Sequence, residues 1–170
     1  MNHFENFPKE KLVELLHIYA KNLLALDGTW FQSIENKRGM EEAIEHDENA
    51  WRRYTESEAR RIKTFLHLPD NAGIEGLMQA LPLRMNAIQH TIEMYPEGNT
   101  LLYRLLDCRV QTARARKKMP FHPCKSVGIQ EHTYFAKVID PRFECEAISC
   151  FPDITDPSCS CAWKFILLDK

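Results

Sequence analysis

The segment Ile88-Gln89-His90-Thr91-Ile92-Glu93-Met94-Tyr95, followed at once by Pro96-Glu97-Gly98-Asn99, decides how the rest of the chain is read. Upstream of Pro82 the apolar residues recur every three or four positions. Here they alternate, with Ile88, His90, Ile92 and Met94 on one side and Gln89, Thr91, Glu93 and Tyr95 on the other. Such alternation marks a half-buried strand. The Pro-Glu-Gly-Asn run supplies turn chemistry, so residues 100–108 read as the return strand of a hairpin. A helical reading of residues 84–95 is the alternative, but the β-branched residues and the four-residue turn agree on the hairpin.

Working back from that segment, the spacing predicts helices throughout. Pro8 suits a first helical position, and Leu12, Leu15, Leu16, Tyr19, Leu23 and Leu26 share a face over residues 8–26. Asp27-Gly28 reads as the stop, with Thr29 capping a short second helix to about Asn36 before Gly39 breaks it. A longer helix over residues 40–66, with a bend near Asp47 as one reading, carries Ala43, Trp51, Tyr54, Ala59 and Ile62. A short one covers residues 72–80.

Working forward, the basic segment Val110–Lys118 is rich in helix formers and lacks breakers. Met119-Pro120-Phe121-His122-Pro123 is a loop, residues 127–139 form a helix, and Asp140-Pro141 ends it. Residues 142–151 and 160–168 read as a second hairpin, with Cys161, Trp163, Phe165 and Leu167 on one face. The sum is an α+β fold in which N-terminal helices pack with an antiparallel sheet of two β-hairpins separated by helices. One domain over residues 1–170 is expected, with a helical part at 1–81 and a hairpin-helix-hairpin part at 82–170.

A chain of 170 residues with 27% charged and 44% hydrophobic side chains is an ordinary globular composition. At that length folding buries about 70% of the extended chain's surface, so no staples are required. The net charge of −2 hides an asymmetry: residues 1–60 hold twelve acidic and eight basic side chains, whereas residues 109–118 hold five basic and no acidic ones. Five charges on one short segment suit a small anionic ligand better than a nucleic-acid groove, so no nucleic-acid partner is expected. No apolar run approaches a membrane span, and Met1–Asn6 lacks the charge and hydrophobicity of a signal peptide. A cytoplasmic protein with no membrane partner is expected. Nothing in the pattern specifies an oligomeric state.

All six cysteines fall between Cys108 and Cys161. A reducing compartment makes them thiols rather than disulfides. Cys108 closes one strand, Cys150 closes the next and Cys161 opens the last, while Cys124 arrives on a loop. Convergence of Cys108, Cys124, Cys150 and Cys161, with His122 nearby, would give a ligand set that zinc accepts. Yet no Cys-x-x-Cys pair supports a metal motif. The second reading makes one thiol a nucleophile. Cys124 has Lys125 beside it and His122 two residues away as proton carrier, and cations raise the thiolate fraction. Cys108 is the rival, since a strand end running into a helix N-terminus also stabilises a thiolate. Gln111 and Arg114 lie one turn apart and can present an amide and a guanidinium fork to a carboxylate or phosphate. The plainer reading of Arg114 is an ion pair with Asp27 or Glu35. Cys145, between Phe143 and Ala147, reads as core, and Cys159 as a loop residue.

Several phrases resemble a family of small prokaryotic cytosolic proteins of unassigned function. These are Asp27-Gly28-Thr29-Trp30-Phe31, Glu58-Ala59-Arg60-Arg61, Asp107-Cys108-Arg109-Val110-Gln111-Thr112-Ala113-Arg114, Pro123-Cys124-Lys125, Ile139-Asp140-Pro141-Arg142 and Cys161-Ala162-Trp163-Lys164-Phe165. That family is in turn distantly similar to L-2-amino-thiazoline-4-carboxylate hydrolases and to 4-vinyl reductase type ligand-binding domains. The resemblance implies an α+β fold and a thiol-assisted opening of a small cyclic carboxylate, with Arg114 on the carboxylate, a thiolate of Cys124 or Cys108 attacking or orienting, and His122 or an Asp carrying protons. A small-molecule-binding domain without catalysis and a thiol-ligated metal or redox sensor are the alternatives.

Overall fold

The structure is a computed structural model and describes residues 3–169; Met1, Asn2 and Lys170, including the first two residues of the segment tested for a signal peptide, lie outside it. Helices α1 (Lys9–Arg38), α2 (Met40–Phe65) and α3 (Gly73–Ala80) come first. Two single 3-10 turns at Leu81–Leu83 and Ala87–Gln89 lead into β1 (Ile92–Glu97) and β2 (Thr100–Leu105). Helices α4 (Arg109–Arg116) and α5 (Lys125–Ile139) follow, and β3 (Phe143–Ser149) and β4 (Cys161–Leu167) close the chain. The four strands form one antiparallel sheet in the order β1-β2-β4-β3. The two hairpins therefore lie side by side through β2 and β4, which brings the ends of strands from both to one edge.

Two expectations about local structure need correction. The first helix does not stop at Asp27-Gly28 but runs on to Arg38. Gly28 has ordinary helical geometry, and the Thr29 hydroxyl, instead of capping a new helix, donates back to Ala25 O at 2.7 Å. The roughly 1 kcal/mol that glycine costs inside a helix is outweighed by the burial of Ala20 and Phe31 on either side of it. Gly39, at φ +93, makes the break between α1 and α2, and α2 is continuous past Asp47.

The second correction concerns the segment that decides the fold. The strand starts at Ile92, and residues 87–89 coil into a 3-10 turn held by His90 N–H on Ala87 O at 3.1 Å. The reason lies just upstream. Arg84 is fully buried, with Nε on Glu58 Oε2 at 3.0 Å and Nη2 on Glu131 Oε1 at 2.8 Å. That anchor, with Met85 N–H on Glu58 Oε1, draws the backbone into turns before it can extend. The hairpin turn is the tight Gly98-Asn99, with Gly98 at φ +56, and Pro96 sits within β1, an edge strand where its missing donor is tolerated.

The core fills the space between sheet and helices. Leu101 and Tyr103 of β2, Trp163 and Phe165 of β4, and Phe143 of β3 pack against Phe135, Ala136 and Ile139 of α5 and Leu77 of α3. Cys145 packs against this core as expected. The helix α5 approaches β4 so closely at Gly128 that an added Cβ would lie 2.5 Å from the Trp163 ring. At its far end, Lys63 Nζ donates to the last carbonyls, Val138 O and Ile139 O, where a cation also suits the helix dipole. Among the described residues no helix is long and apolar enough to cross a membrane.

Candidate functional site

A cavity of about 660 Å³ opens between α1, α2, α4, α5 and the joined hairpins, and Cys108, Cys124, Cys150 and Cys161 all line it. Each arrives by a different local device. Cys108 occupies the residue just before α4, Cys124 immediately precedes α5, Cys150 follows β3, and Cys161 opens β4. Side-by-side hairpins are what gather them.

Within this group Cys124 and Cys150 are in contact, Sγ to Sγ 3.6 Å. Cys161 Sγ accepts the Trp163 indole N–H at 3.3 Å. Cys108 is a different kind of thiol: burial pushes it up to about 11, against weaker help from the N–H groups of α4. Among the described residues no three or more His, Cys, Asp or Glu side chains are grouped to hold a metal ion. The set Cys108, Cys124, Cys150 and Cys161 thus shares a cavity without forming a zinc ligand cluster. Cys159 is buried beside the loop acid Asp156, whose Oδ2 lies 3.5 Å from its sulfur.

His122 and Cys124 carry the most altered chemistry. His122 is buried, its ring 4.5 Å from that of Phe31, and its Nε2 faces Asp47 Oδ2 at 3.1 Å. Its backbone is clamped by Gln111, which donates through Nε2 to His122 O (2.7 Å) and accepts the His122 N–H on Oε1 (3.0 Å). Burial works against an imidazolium here, but the Asp47 carboxylate and the Cys124 sulfur outweigh it and hold His122 up at about 9. Cys124 moves the other way. The hydrogen bond from the Cys150 thiol acts first, burial opposes it, and His122 adds its charge, leaving Cys124 at about 5. The N-terminus of the fifteen-residue α5 gives further support to a negative sulfur. Both shifts favour a thiolate at Cys124 and an imidazolium at His122, with Asp47 on the His122 Nε2 side.

Gln111 and Arg114 are placed by the structure as supports. Gln111 holds the His122 loop and reaches Cys124 Sγ at 3.7 Å. Arg114, 3% exposed, gives both ends of its fork to Glu35, at 2.9 Å and 2.6 Å, and its Nε to Pro120 O. The plainer reading of Arg114 thus describes its geometry. The cations left at the cavity are Lys21, Arg109, Arg116 and Lys117.

From the sequence no site role is expected for Asp27, Asp47, Asn86 or His132. Asp27 lines the cavity, and burial, with the charges of Asp47 and Glu131, pushes it up to about 7. Burial, with the charge of Arg84, drives His132 well below its ordinary value, so the ring is neutral. Among the described residues, His122 Nδ1, His132 Nδ1 and Asn86 Oδ1 are buried without hydrogen-bond partners, and all three residues line the cavity. The signal for Asp47 was present: with Ala43, Trp51 and Thr55 it makes a four-residue step along the inner face of α2, so an acid stands in a buried stripe.

A family model matches residues 5–167. The chain belongs to that family of unknown function, DUF6125. No curated protein and no solved structure matches it. For this member of the family, function has to be argued from the cavity.

Proposed function

We propose that this protein is a thiol-dependent hydrolase of a small carboxylate, with Cys124 as nucleophile, His122 as proton carrier and Asp47 as the group that orients and charges His122. The observation that carries the reading is the buried His122–Asp47 pair, with the His122 ring and the Cys124 sulfur each favouring the other's charged form. A buried carboxylate on one ring nitrogen fixes the imidazole, and the other nitrogen, Nδ1, has no hydrogen-bond partner. The Cys124 thiolate attacks an sp² carbon of the ligand and forms a C–S bond. His122 Nδ1–H gives its proton to the departing nitrogen or oxygen, and the neutral imidazole then takes a proton from the water that cleaves the thioester or thioimidate and regenerates the thiol.

The cations at the cavity, Arg109, Arg116, Lys117 and Lys21, supply the attraction for the carboxylate. Trp51, Phe31 and Trp163 supply apolar walls. Arg114, held by Glu35, ties α4 to α1 and so sets where those cations stand. Cys108, with its raised value, is the bystander of the two candidate nucleophiles. The resemblance to L-2-amino-thiazoline-4-carboxylate hydrolases agrees with this class of reaction and makes cyclic C–N and C–S carboxylates the first compounds to try.

A panel of such compounds, with acyclic amides and esters of small carboxylates, tests the reading. Turnover is expected with wild type and Cys108→Ser and is lost at least 1000-fold, on the order of a removed nucleophile, with Cys124→Ser. Undiminished turnover by Cys124→Ser overturns it. Saturable binding of these carboxylates with no turnover favours a binding domain without catalysis.

A further inference from the structure

Two thiols on separate elements rarely meet by accident at 3.6 Å, and the chain around Cys124 and Cys150 is built to hold them there. The Lys125 N–H donates to Phe151 O at 3.1 Å, and Lys125 Nζ pairs with Asp153 Oδ2 at 2.8 Å. Cys150 N–H in turn donates to Asp153 O at 3.2 Å, closing the 150–153 turn. These bonds fix the start of α5 against the exit of β3, one thiol on each side of the seam. Cys124 is half-buried, Cys150 is 2% exposed, and both face the same cavity. A small polar oxidant entering the cavity therefore meets Cys124 with Cys150 directly behind it.

We propose that Cys124 and Cys150 form a peroxide-reactive dithiol, in which Cys124 is oxidised and Cys150 resolves it as an intramolecular disulfide. The Cys124 thiolate attacks one oxygen of hydrogen peroxide. The O–O bond breaks, Cys124 becomes a sulfenic acid, and the leaving hydroxide takes the His122 proton to become water. The Cys150 sulfur then attacks the Cys124 sulfur, the S–O bond breaks, and the second hydroxide leaves with the Cys150 proton as water. The sum is two thiols and one peroxide giving one disulfide and two waters.

The environment orders these steps. Cys150 is kept protonated by its hydrogen bond to the Cys124 thiolate, then by Cys161 and burial. Oxidation of Cys124 removes that negative sulfur and so releases Cys150 for attack. A bond of about 2.05 Å asks the two sulfurs to close by roughly 1.5 Å. The result is a nucleophile protected from irreversible oxidation and silenced until a dithiol reductant restores it.

The inference stands on the sulfur geometry and not on hydrolysis. A protein that turned over nothing would give the same disulfide map, and a missing disulfide would leave Cys124-dependent turnover untouched. The experiment treats reduced full-length protein with one equivalent of hydrogen peroxide, counts free thiols and maps peptides. The expected result is a loss of two thiols, a cross-linked pair of peptides containing Cys124 and Cys150, and full recovery with dithiothreitol. In Cys150→Ser the expected product is instead a sulfenic acid at Cys124 that dimedone labels and that more peroxide carries on to the sulfinic acid. A bond from Cys150 to Cys161, or direct conversion of wild-type Cys124 to the sulfinic acid, overturns the proposal. So does a thiol count that peroxide leaves unchanged.

Discussion

His122 Nε2 and Asp47 Oδ2 stand 3.1 Å apart although the residues are 75 positions apart in the chain. One comes from a loop between α4 and α5, the other from the first third of α2. Their side chains are 8% and 9% exposed, so the pair is screened little by solvent. A charge relation of this kind sets the state of Cys124 as well, because the imidazolium that Asp47 stabilises is the cation beside the thiolate.

Replacement Asp47→Asn keeps the shape and removes the charge. The His122 value is expected to fall from about 9 toward 6.5, and that of Cys124 to rise from about 5. Each unit of rise in the Cys124 value lowers the thiolate fraction about tenfold below that value. The pH profile of iodoacetamide alkylation at Cys124 reads this directly: its midpoint moves up in Asp47→Asn, and an unmoved midpoint would show that Asp47 does not act on the thiol through His122.

Stability should depend on pH through several groups whose slopes oppose one another. Cys124 is lowered from 9.0 to about 5, so its contribution is present at high pH and is lost as pH falls through 5. His122 is raised from 6.5 to about 9, so its contribution is present below 6.5 and is lost as pH rises through 9. Between 6.5 and 9 the unfolded chain holds its proton on the thiol and the folded one on the imidazole, and the two slopes cancel. Asp27, raised from 3.8 to about 7, weakens the fold as pH rises from 3.8 to about 7. Between pH 5 and 6.5 it opposes the gain from Cys124. Because the unfolded chain also holds protons on His132 and His90 that the folded rings do not, wild type is expected to gain stability with rising pH there, Asp27→Asn to gain more steeply, and Cys124→Ser to gain less than wild type. Urea unfolding at pH 5.0, 5.75 and 6.5 checks all three, and parallel curves for the three proteins would contradict the assignment.

Much of this was legible beforehand. The switch from helical to alternating spacing after Pro82 gives the α+β order, and the placing of Cys108, Cys150 and Cys161 at strand ends anticipates that they share a cavity. The continuity of α1 was not legible, because Asp27-Gly28-Thr29 carries every local mark of a helix end, and it is tertiary contacts, among them the packing of Phe31, the Lys117–Gln32 hydrogen bond and the Arg114–Glu35 pair, that hold the helix beyond it. The start of β1 at Ile92 depends on Arg84, whose burial between two glutamates from α2 and α5 is a tertiary fact with no local signature. Asp27 and Asp47 were overlooked for a related reason: a surface helix also carries acids at these spacings, and what distinguishes them is the cavity.

The Arg84 cluster makes a large prediction about stability. Arg84 has no exposure, pairs with Glu58 and Glu131, donates to Thr55 Oγ1 at 3.0 Å and lies 4.5 Å from the Phe135 ring centre. Arg84→Met leaves two carboxylates facing each other without their cation, a loss of about 3–5 kcal/mol for a broken buried pair. A triple change that also replaces Glu58 and Glu131 by Gln should recover part of it. Denaturant melts that put Arg84→Met within 1 kcal/mol of wild type, about the size of an exposed ion pair, would refute the buried account.

Gly128 tests how tightly α5 lies on the sheet. A methyl group at Gly128 would meet Trp163 Cη2 and Cζ2 at 2.5 Å, and the ring cannot yield easily, being 1% exposed and packed against the tilted His132 ring at 4.5 Å. Gly128→Ala gains about 1 kcal/mol of helix propensity and loses about 1–3 kcal/mol to overpacking. Net destabilisation is expected, with a shift in Trp163 fluorescence; a variant more stable than wild type would mean that the helix has room to retreat.

The last prediction separates the two roles open to Arg114. As a ligand-binding residue it would have to release Glu35, giving up two charged hydrogen bonds of about 1.5–3 kcal/mol each for contact with a ligand carboxylate. As a tie between α4 and α1 it needs no rearrangement, since both fork nitrogens and Nε already have partners. The tie predicts that Glu35→Gln and Arg114→Gln each lower stability and that the double variant costs much less than their sum, because the second change removes a charge the first left unpaired. It also predicts that either change alters kcat and KM only through the displaced α4, so the effect on turnover should be similar for both. If Arg114 holds the ligand instead, Arg114→Gln should raise KM while Glu35→Gln, by freeing the fork, lowers it. Opposite movements of KM in the two variants would therefore assign Arg114 to the ligand, and parallel movements assign it to the scaffold.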